Sequence, residues 1–162
     1  MANFGSFTGL ITSIQNFGAP GEPRAGCTKL ISLHDPAGGI VNFVVTPATY
    51  FVDHTMVTTG DRVTGFYDAN APTPYIYPPQ LQAVVMAKTS ASQNVKVDRF
   101  DQLLVSSDGG LKLNLAPATQ IRLENGQFFS GDLAGRELIV VYGATTRSIP
   151  AQTTPQQVIV IC

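Results

Sequence analysis

The sequence has little charge of either sign. Only 13% of its 162 residues are Asp, Glu, Lys or Arg, and the net charge is −1. Nucleic-acid-binding domains usually carry a basic patch, and anionic membranes attract clustered Lys and Arg, so neither is an expected partner. With few repelling charges, a surface of Thr, Ser, Gln and Asn favours packing against copies of the same chain. An ordinary extracellular or heat-tolerant β domain would show the same composition.

Long apolar runs are missing as well. The first residues contain neither the basic region nor the continuous apolar stretch of a secretory signal peptide. The longest apolar runs, such as Val158–Cys162, are far too short to span a bilayer. We therefore expect an extracellular, spore-surface or cell-surface protein that is released by another route, such as lysis of a mother cell. A cytoplasmic location is the alternative.

The sequence holds only two cysteines, Cys27 and Cys162, and they lack the spacing of a metal site. Cys162 is the last residue, and chain ends are often accessible. A disulfide from Cys162 to Cys27 of a neighbouring subunit would be a covalent cross-link between subunits. An internal bridge, or two reduced cysteines that act as small apolar side chains, are the alternatives.

What the sequence contains instead is one β-rich unit in two copies. The tripeptide Pro-Ala-Thr occurs at positions 47–49 and again at 117–119. After a five-residue insertion, the copies align at a spacing of 75 residues in two further segments, 60–63 with 135–138 and 83–86 with 158–161. A repeat of this kind constrains the architecture more than any single motif.

Short strands and Gly/Pro-rich turns dominate both copies, which predicts an all-β fold. We predict two tandem small Greek-key barrels of the OB type. The first would span 1–89, a linker 90–94, and the second, shorter barrel 95–162. Gly65 lies inside a predicted strand and indicates a bulge or a barrel corner. One β-sandwich built from both halves is the alternative.

The stretch Gly60–Pro72, continued by Tyr75–Pro79, resembles short uncharacterised β-rich proteins of clostridia-type spore-forming bacteria. The resemblance covers Val41–Lys88. It implies an anaerobic Gram-positive source and a β-rich fold, and it carries no activity that can be assigned to a residue. The cysteines, the missing signal peptide and the strand pattern give a general likeness to cysteine-linked surface or spore appendage subunits.

Two His/carboxylate neighbours, His34-Asp35 and Asp53-His54, are the candidate metal ligands. If their strands ran side by side, they could form a site with two His and two carboxylate ligands. Their alternative role is that of turn and capping residues. No Gly-x-Ser-x-Gly motif or other catalytic arrangement is present, so the sequence predicts neither enzyme activity nor a cofactor.

Three tyrosines, Tyr67, Tyr75 and Tyr77, cluster beside a proline-rich stretch. In an OB barrel the loop between strands four and five contacts ligands, and aromatic rings there can stack on sugars or bases. Only Arg62 and Lys88 lie near in sequence, so a neutral carbohydrate suits this loop better than a nucleic acid. The alternative is that these rings pack on prolines and stiffen the loop.

Together these features favour a non-enzymatic structural subunit that assembles head to tail with copies of itself into a filament or layer. The expected contact and cross-link residues are Cys27, Cys162, Phe4, Phe7 and the terminal strand with Val158 and Val160. A head-to-tail contact forms an open polymer unless rotation closes it. The alternative function is a monomeric module that binds carbohydrate or another small ligand through the Tyr67–Tyr77 loop.

Overall fold

A computed structural model describes residues 2–162. Seven strands come first: β1 (Phe4–Asn16), β2 (Lys29–His34), β3 (Ile40–Val45), β4 (Tyr50–Phe51), β5 (Arg62–Asp68), β6 (Gln80–Gln82) and β7 (Val85–Lys88). Six follow: β8 (Asn94–Arg99), β9 (Leu111–Leu113), β10 (Gln120–Leu123), β11 (Glu137–Tyr142), β12 (Ala151–Thr153) and β13 (Gln157–Ile161). Over the described range the only helical segment is the 3-10 turn Val52–His54. The all-β prediction is confirmed.

The chain divides into two compact units, the first ending at Thr89 and the second beginning at Ser90. The first unit encloses a cluster of buried side chains: Ile11, Ile31, Leu33, Val41, Phe43, Val45, Val63, Ala83 and Met86. The second unit encloses another: Phe100, Leu111, Leu113, Leu133, Leu138, Val140, Val158 and Val160. Alternate strand residues supply both clusters, because successive side chains of a strand point to opposite faces. Each of these two clusters draws on one unit alone.

In the first unit, seven strands form one sheet in the order β4-β7-β5-β1-β2-β3-β6. The inner pairs are antiparallel, whereas β3 pairs with β6 and β4 pairs with β7 in parallel. Four residues connect β3 to β4, and two connect β6 to β7. The chain itself therefore links the two ends of the sheet, and the strand circuit returns to its start.

The repeated Pro-Ala-Thr tripeptide forms the turn that interrupts the third strand of each unit. In the first unit the Thr49 hydroxyl accepts the Thr46 amide at 3.0 Å and donates to the Ala83 carbonyl at 2.9 Å. Ala83 lies in the gap between β6 and β7. One threonine therefore closes its own turn and fixes it to the interruption in the parallel partner strand.

The second unit repeats this arrangement. The Thr119 hydroxyl accepts the Ala116 amide at 3.2 Å and donates to the Pro155 carbonyl at 2.8 Å. Parallel pairs join β9 to β12 and β10 to β13, and antiparallel pairs join β11 to β13 and β8. Isolated bridges at Phe100–Ser106 and Val105–Lys112 stand where the first unit has its second strand. The sequence repeat is thus a repeat of strand pairing.

The pairing register corrects the predicted alignment of the last strands. Phe66 pairs with Val85 in the first unit, and Val141 pairs with Gln157 in the second. The spacing of 75 residues holds for the fourth strands, from Phe66 to Val141. From Val85 to Gln157 it is 72. The predicted match of 83–86 with 158–161 was wrong by three residues, because a shorter loop precedes β12 and both segments are apolar enough to align in either register.

Gly65 does not mark a bulge. The register of β5 against its neighbours is continuous, and the irregularity lies in β1 between Ile11 and Ser13. A Cβ atom at Gly65 would stand 2.5 Å from the Phe43 ring, which is itself fully buried. The glycine is required by this close approach of a core ring to the strand backbone.

The sheets differ in detail from two separate five-stranded barrels. The third and fifth strands of each copy are split in two, because a proline turn cannot continue a strand ladder. The parallel pairs join segments 35 to 40 residues apart, from Tyr50–Val85 to Leu111–Ala151. Pairing between successive parallel segments is also a feature of β-solenoids. The coarse class is therefore all-β, and the closure of each unit is taken up below.

Replacing Thr49 by Val should destabilise the first unit. The valine keeps the side-chain shape but removes an acceptor and a donor, and we expect the free energy of unfolding to fall by about 1–3 kcal/mol. Urea unfolding monitored by circular dichroism measures this. Thr59→Val, at an exposed position, is the matched control. A loss no larger than that of the control would contradict the bracing role of Thr49.

Asp108 should make the second unit sensitive to acid. Burial alone would raise the pKa of Asp108, but hydrogen bonds from Lys96 Nζ, the Ser106 hydroxyl and the Gly110 amide outweigh it and lower this pKa to about 2. The folded-state pKa lies below the unfolded value of 3.8, so the carboxylate stabilises the fold above about pH 4 and loses this effect as the pH falls towards 2.

Because the Asp108 side chain is 55% exposed, solvent screening reduces the contribution to about 1 kcal/mol. Asp108→Asn should therefore lower the free energy of urea unfolding by about 1 kcal/mol near neutral pH and by much less near pH 2. An equal difference between the two proteins at both pH values would contradict this prediction.

Candidate functional site

The loop between β5 and β6, residues 69–79, presents the most exposed aromatic side chains of the first unit. Tyr75 is fully exposed, Tyr77 is 78% exposed and Ile76 is 55% exposed. Together with Pro74 they line an open depression of about 330 Å³. Large apolar side chains that stand next to one another in solvent commonly mark a contact surface. We call residues 74–77 the aromatic loop.

Both ends of this loop are fixed to strands. At its start, the Asp68 carboxylate accepts the amides of Asn3 and Asn70 at 3.1 and 2.9 Å. At its end, the Asn42 amide of β3 donates to the Pro79 carbonyl at 2.9 Å. Four prolines, at 72, 74, 78 and 79, restrict the backbone between these points. The apolar side chains are therefore held outward by a restricted loop.

Tyr67 does not belong to this surface. It lies on β5, packs against the core of the first unit, and has its ring centroid 6.2 Å from that of Phe43. A Cβ atom at Gly5 would stand 2.6 Å from Tyr67 Cζ, so the glycine leaves room for the ring. The predicted ligand loop Tyr67–Tyr77 therefore reduces to Tyr75 and Tyr77, with Ile76 added.

The second unit has an equivalent of the aromatic loop. Tyr77 precedes a cis proline, Pro78, and Ile149 precedes a cis proline, Pro150. The two positions are 72 residues apart, the spacing that relates the fifth strands, and Ile149 is 98% exposed. The sequence signal is an apolar residue before proline at that spacing, and it becomes visible only once the corrected register is known.

The two histidines lie at strand or turn ends. His34 ends β2, and the adjacent Asp35 accepts the Gly39 amide at 2.7 Å and so closes the hairpin. His54 ends the 3-10 turn, with its ring 5.6 Å from that of Tyr50. Between residues 2 and 162, no group of three or more His, Cys, Asp or Glu side chains is placed to hold a metal. Asp35 has the predicted alternative role of a turn residue.

The apolar contact residues expected from the sequence lie mostly inside the fold. Val158 and Val160 are at most 1% exposed, in a strand that has neighbours on both sides. Phe7 packs against the core of the first unit. Phe4 begins β1 and is half-buried. The terminal strand was expected at a surface because it ends the chain, but its apolar side chains are buried in its own unit.

Both cysteines are reduced and exposed. Cys27 lies in the loop before β2, where its amide donates to the Arg24 carbonyl at 3.0 Å. Cys162 follows the last residue of β13. Both thiols are therefore open to solvent, as a cross-link between subunits would require.

A further exposed ring, Phe128, was missed by the sequence analysis. Its side chain is 73% exposed, and the Arg122 guanidinium lies 5.0 Å from the ring centroid. Arg122 also donates to the Gly126 carbonyl across the turn between these residues. The ring and the cation meet because the Asn125-Gly126 turn brings the segments of Arg122 and Phe128 together, a pairing that the sequence does not reveal.

Neither a scan against known protein families nor a search of curated proteins finds a match for this chain. In the described part of the chain, no helix is long and apolar enough to cross a membrane.

Proposed function

We propose that this protein is a non-enzymatic structural subunit that associates with copies of itself in a filament or layer on the outside of a cell or spore. The observation that supports this proposal is the aromatic loop, where three adjacent apolar side chains stand in solvent on a proline-rich segment. The chain carries only 21 charged side chains, 10 basic and 11 acidic, which limits repulsion between copies.

The contact would run through loops and not through the chain ends. Phe4 and Phe7 belong to a strand paired within the first unit, and Val158 and Val160 belong to a buried strand of the second. The aromatic loop, at Tyr75–Tyr77, is the element left to dock. A partner surface of the same weakly charged composition would cover it without having to desolvate charges, which is a costly step in association.

We also propose that each unit closes as an OB-like Greek-key barrel. Pairing runs from the first strand to the second, third, fifth and fourth, and returns to the first. This order is supported in the first unit by the β1–β2, β2–β3, β3–β6, β5–β7 and β1–β5 pairs. The alternative arrangement is a β-solenoid, which uses parallel pairs of the same kind but needs no antiparallel return to the first strand.

Replacing Tyr75 and Tyr77 by Ser in one variant should weaken self-association. The substitution removes two exposed rings, and a contact of this size typically costs 2 kcal/mol or more when lost, or roughly thirtyfold in the association constant. Sedimentation velocity across a concentration series measures it. Leu103→Ser, which removes a side chain that is 69% exposed in the second unit, is the control.

Equal sedimentation of the double variant and the unsubstituted protein would contradict a docking role for the aromatic loop. A second function is favoured by the depression between the tyrosines, which would suit a monomeric module that binds a neutral sugar by stacking on the rings. Under that function the unsubstituted protein stays monomeric, and Tyr75→Ala abolishes sugar binding.

The exposed cysteines should make assembly sensitive to reductant. After oxidation, covalent dimers and larger species should appear on a denaturing gel without reductant, and disappear with it. Cys162→Ser should remove most of the cross-linked material, because the proposed bridge needs Cys162 of one subunit and Cys27 of the next. Unchanged cross-linking in Cys162→Ser would contradict this pairing.

A further inference from the structure

The second unit contains an open groove of about 550 Å³ between the end of β9, the loop that follows β11 and the region around β12. This volume lies within the usual range of small-molecule sites. All nine residues that line it are Asn, Gln, Thr, Gly or Ala, so the groove carries no charged side chain and no aromatic one. It is distinct from the aromatic loop, which belongs to the first unit.

Hydrogen bonds hold the groove walls in place. Asn114 Nδ2 donates to Gln152 Oε1 at 3.1 Å, and Gln93 Nε2 donates to Gln156 Oε1 at 3.0 Å. The Thr153 hydroxyl donates to the Ala144 carbonyl at 2.9 Å and so ties β12 to the preceding loop. The polar side chains of the groove are thereby oriented before any ligand arrives, which lowers the entropy cost of binding.

Each amide pair leaves hydrogen-bonding groups for a ligand. Gln152 uses its oxygen to accept from Asn114, so its Nε2 donor is available, and Asn114 keeps its Oδ1 acceptor. The exposed hydroxyls of Thr145 and Thr154 stand beside them. Donors and acceptors therefore alternate along the wall, a pattern that hydroxyl groups match because each hydroxyl both donates and accepts.

We propose that this groove binds a neutral carbohydrate. A nucleic acid or a phosphorylated ligand would need Lys or Arg, and a metal ion would need carboxylate or imidazole ligands, and the lining has neither. An extended peptide is less well matched, because its side chains would need apolar pockets. Without an aromatic platform, binding should be weak, with a dissociation constant on the order of 1 mM.

The test is a titration of the isotope-labelled full chain with cellotetraose, chitotetraose, maltotetraose and xylotetraose, followed by backbone amide NMR. At tens of millimolar sugar, at least one of the four should shift the amides of Asn114, residues 143–146 and residues 152–156. Gln152→Glu is the decisive variant. Its carboxylate still accepts from Asn114, so the wall is preserved, but the free amide donor is lost.

Gln152→Glu should weaken sugar binding at least fivefold, whereas Gln127→Glu, which adds the same charge at an exposed position in the turn before Phe128, should not change it. Thr145→Val should also weaken binding, and it removes an exposed hydroxyl without a structural role. No shift with any sugar, shifts confined to residues 74–77, or equal affinities in Gln152→Glu and Gln127→Glu would each overturn the proposal. Tighter binding of a neutral Thr/Gly peptide of the same length would overturn it too. Self-association through Tyr75 and Tyr77 is measured separately and does not depend on this result.

Discussion

The parallel pairing of two interrupted strands is the constraint on which each unit depends. Parallel partners cannot be joined by a tight turn, so the chain must cross from the third strand to the fifth through other elements. In both units the two strands are interrupted at the same level, and one threonine hydroxyl, of Thr49 or Thr119, bridges the interruptions. This bridge satisfies a backbone carbonyl at a place where the ladder of strand hydrogen bonds is broken.

The surface loops gain their definition from this framework. The loop between the fourth and fifth strands begins and ends on paired backbone, so a long proline-rich segment still presents Tyr75 and Tyr77 in one arrangement. Loops that are positioned by a rigid scaffold are the usual place for binding function. In the first unit this loop presents apolar rings, whereas in the second it forms one wall of a neutral polar groove. The duplicated framework thus carries two different surfaces.

The sequence was sufficient for the strand class and for the repeat, because alternation and the Pro-Ala-Thr tripeptide are local signals. It was not sufficient for the register of the last strands. Residues 83–86 and 158–161 are both apolar, and only hydrogen bonds to Phe66 and Val141 distinguish one alignment from another three residues away. The purpose of the tripeptide was equally hidden, because the Ala83 carbonyl that Thr49 bonds lies 34 residues further along the chain.

The site was predicted in part for the same reason. Tyr75 and Tyr77 were identified from their prolines, which act locally, but Tyr67 was grouped with them although β5 turns it towards Phe43. Val158 and Val160 were expected to be contacts because they end the chain. Position along the chain does not determine burial, and the strand lies between two neighbours. Burial by distant segments is what periodicity alone does not reveal.

The account's central claim is that this chain is a structural subunit that assembles with itself. Negative-stain electron microscopy of the purified protein, with and without reductant, tests it most directly. The account predicts regular filaments or layers, with reductant loosening those that Cys27 and Cys162 cross-link. Uniform small particles under both conditions, at concentrations well above those that load the grid, would contradict it.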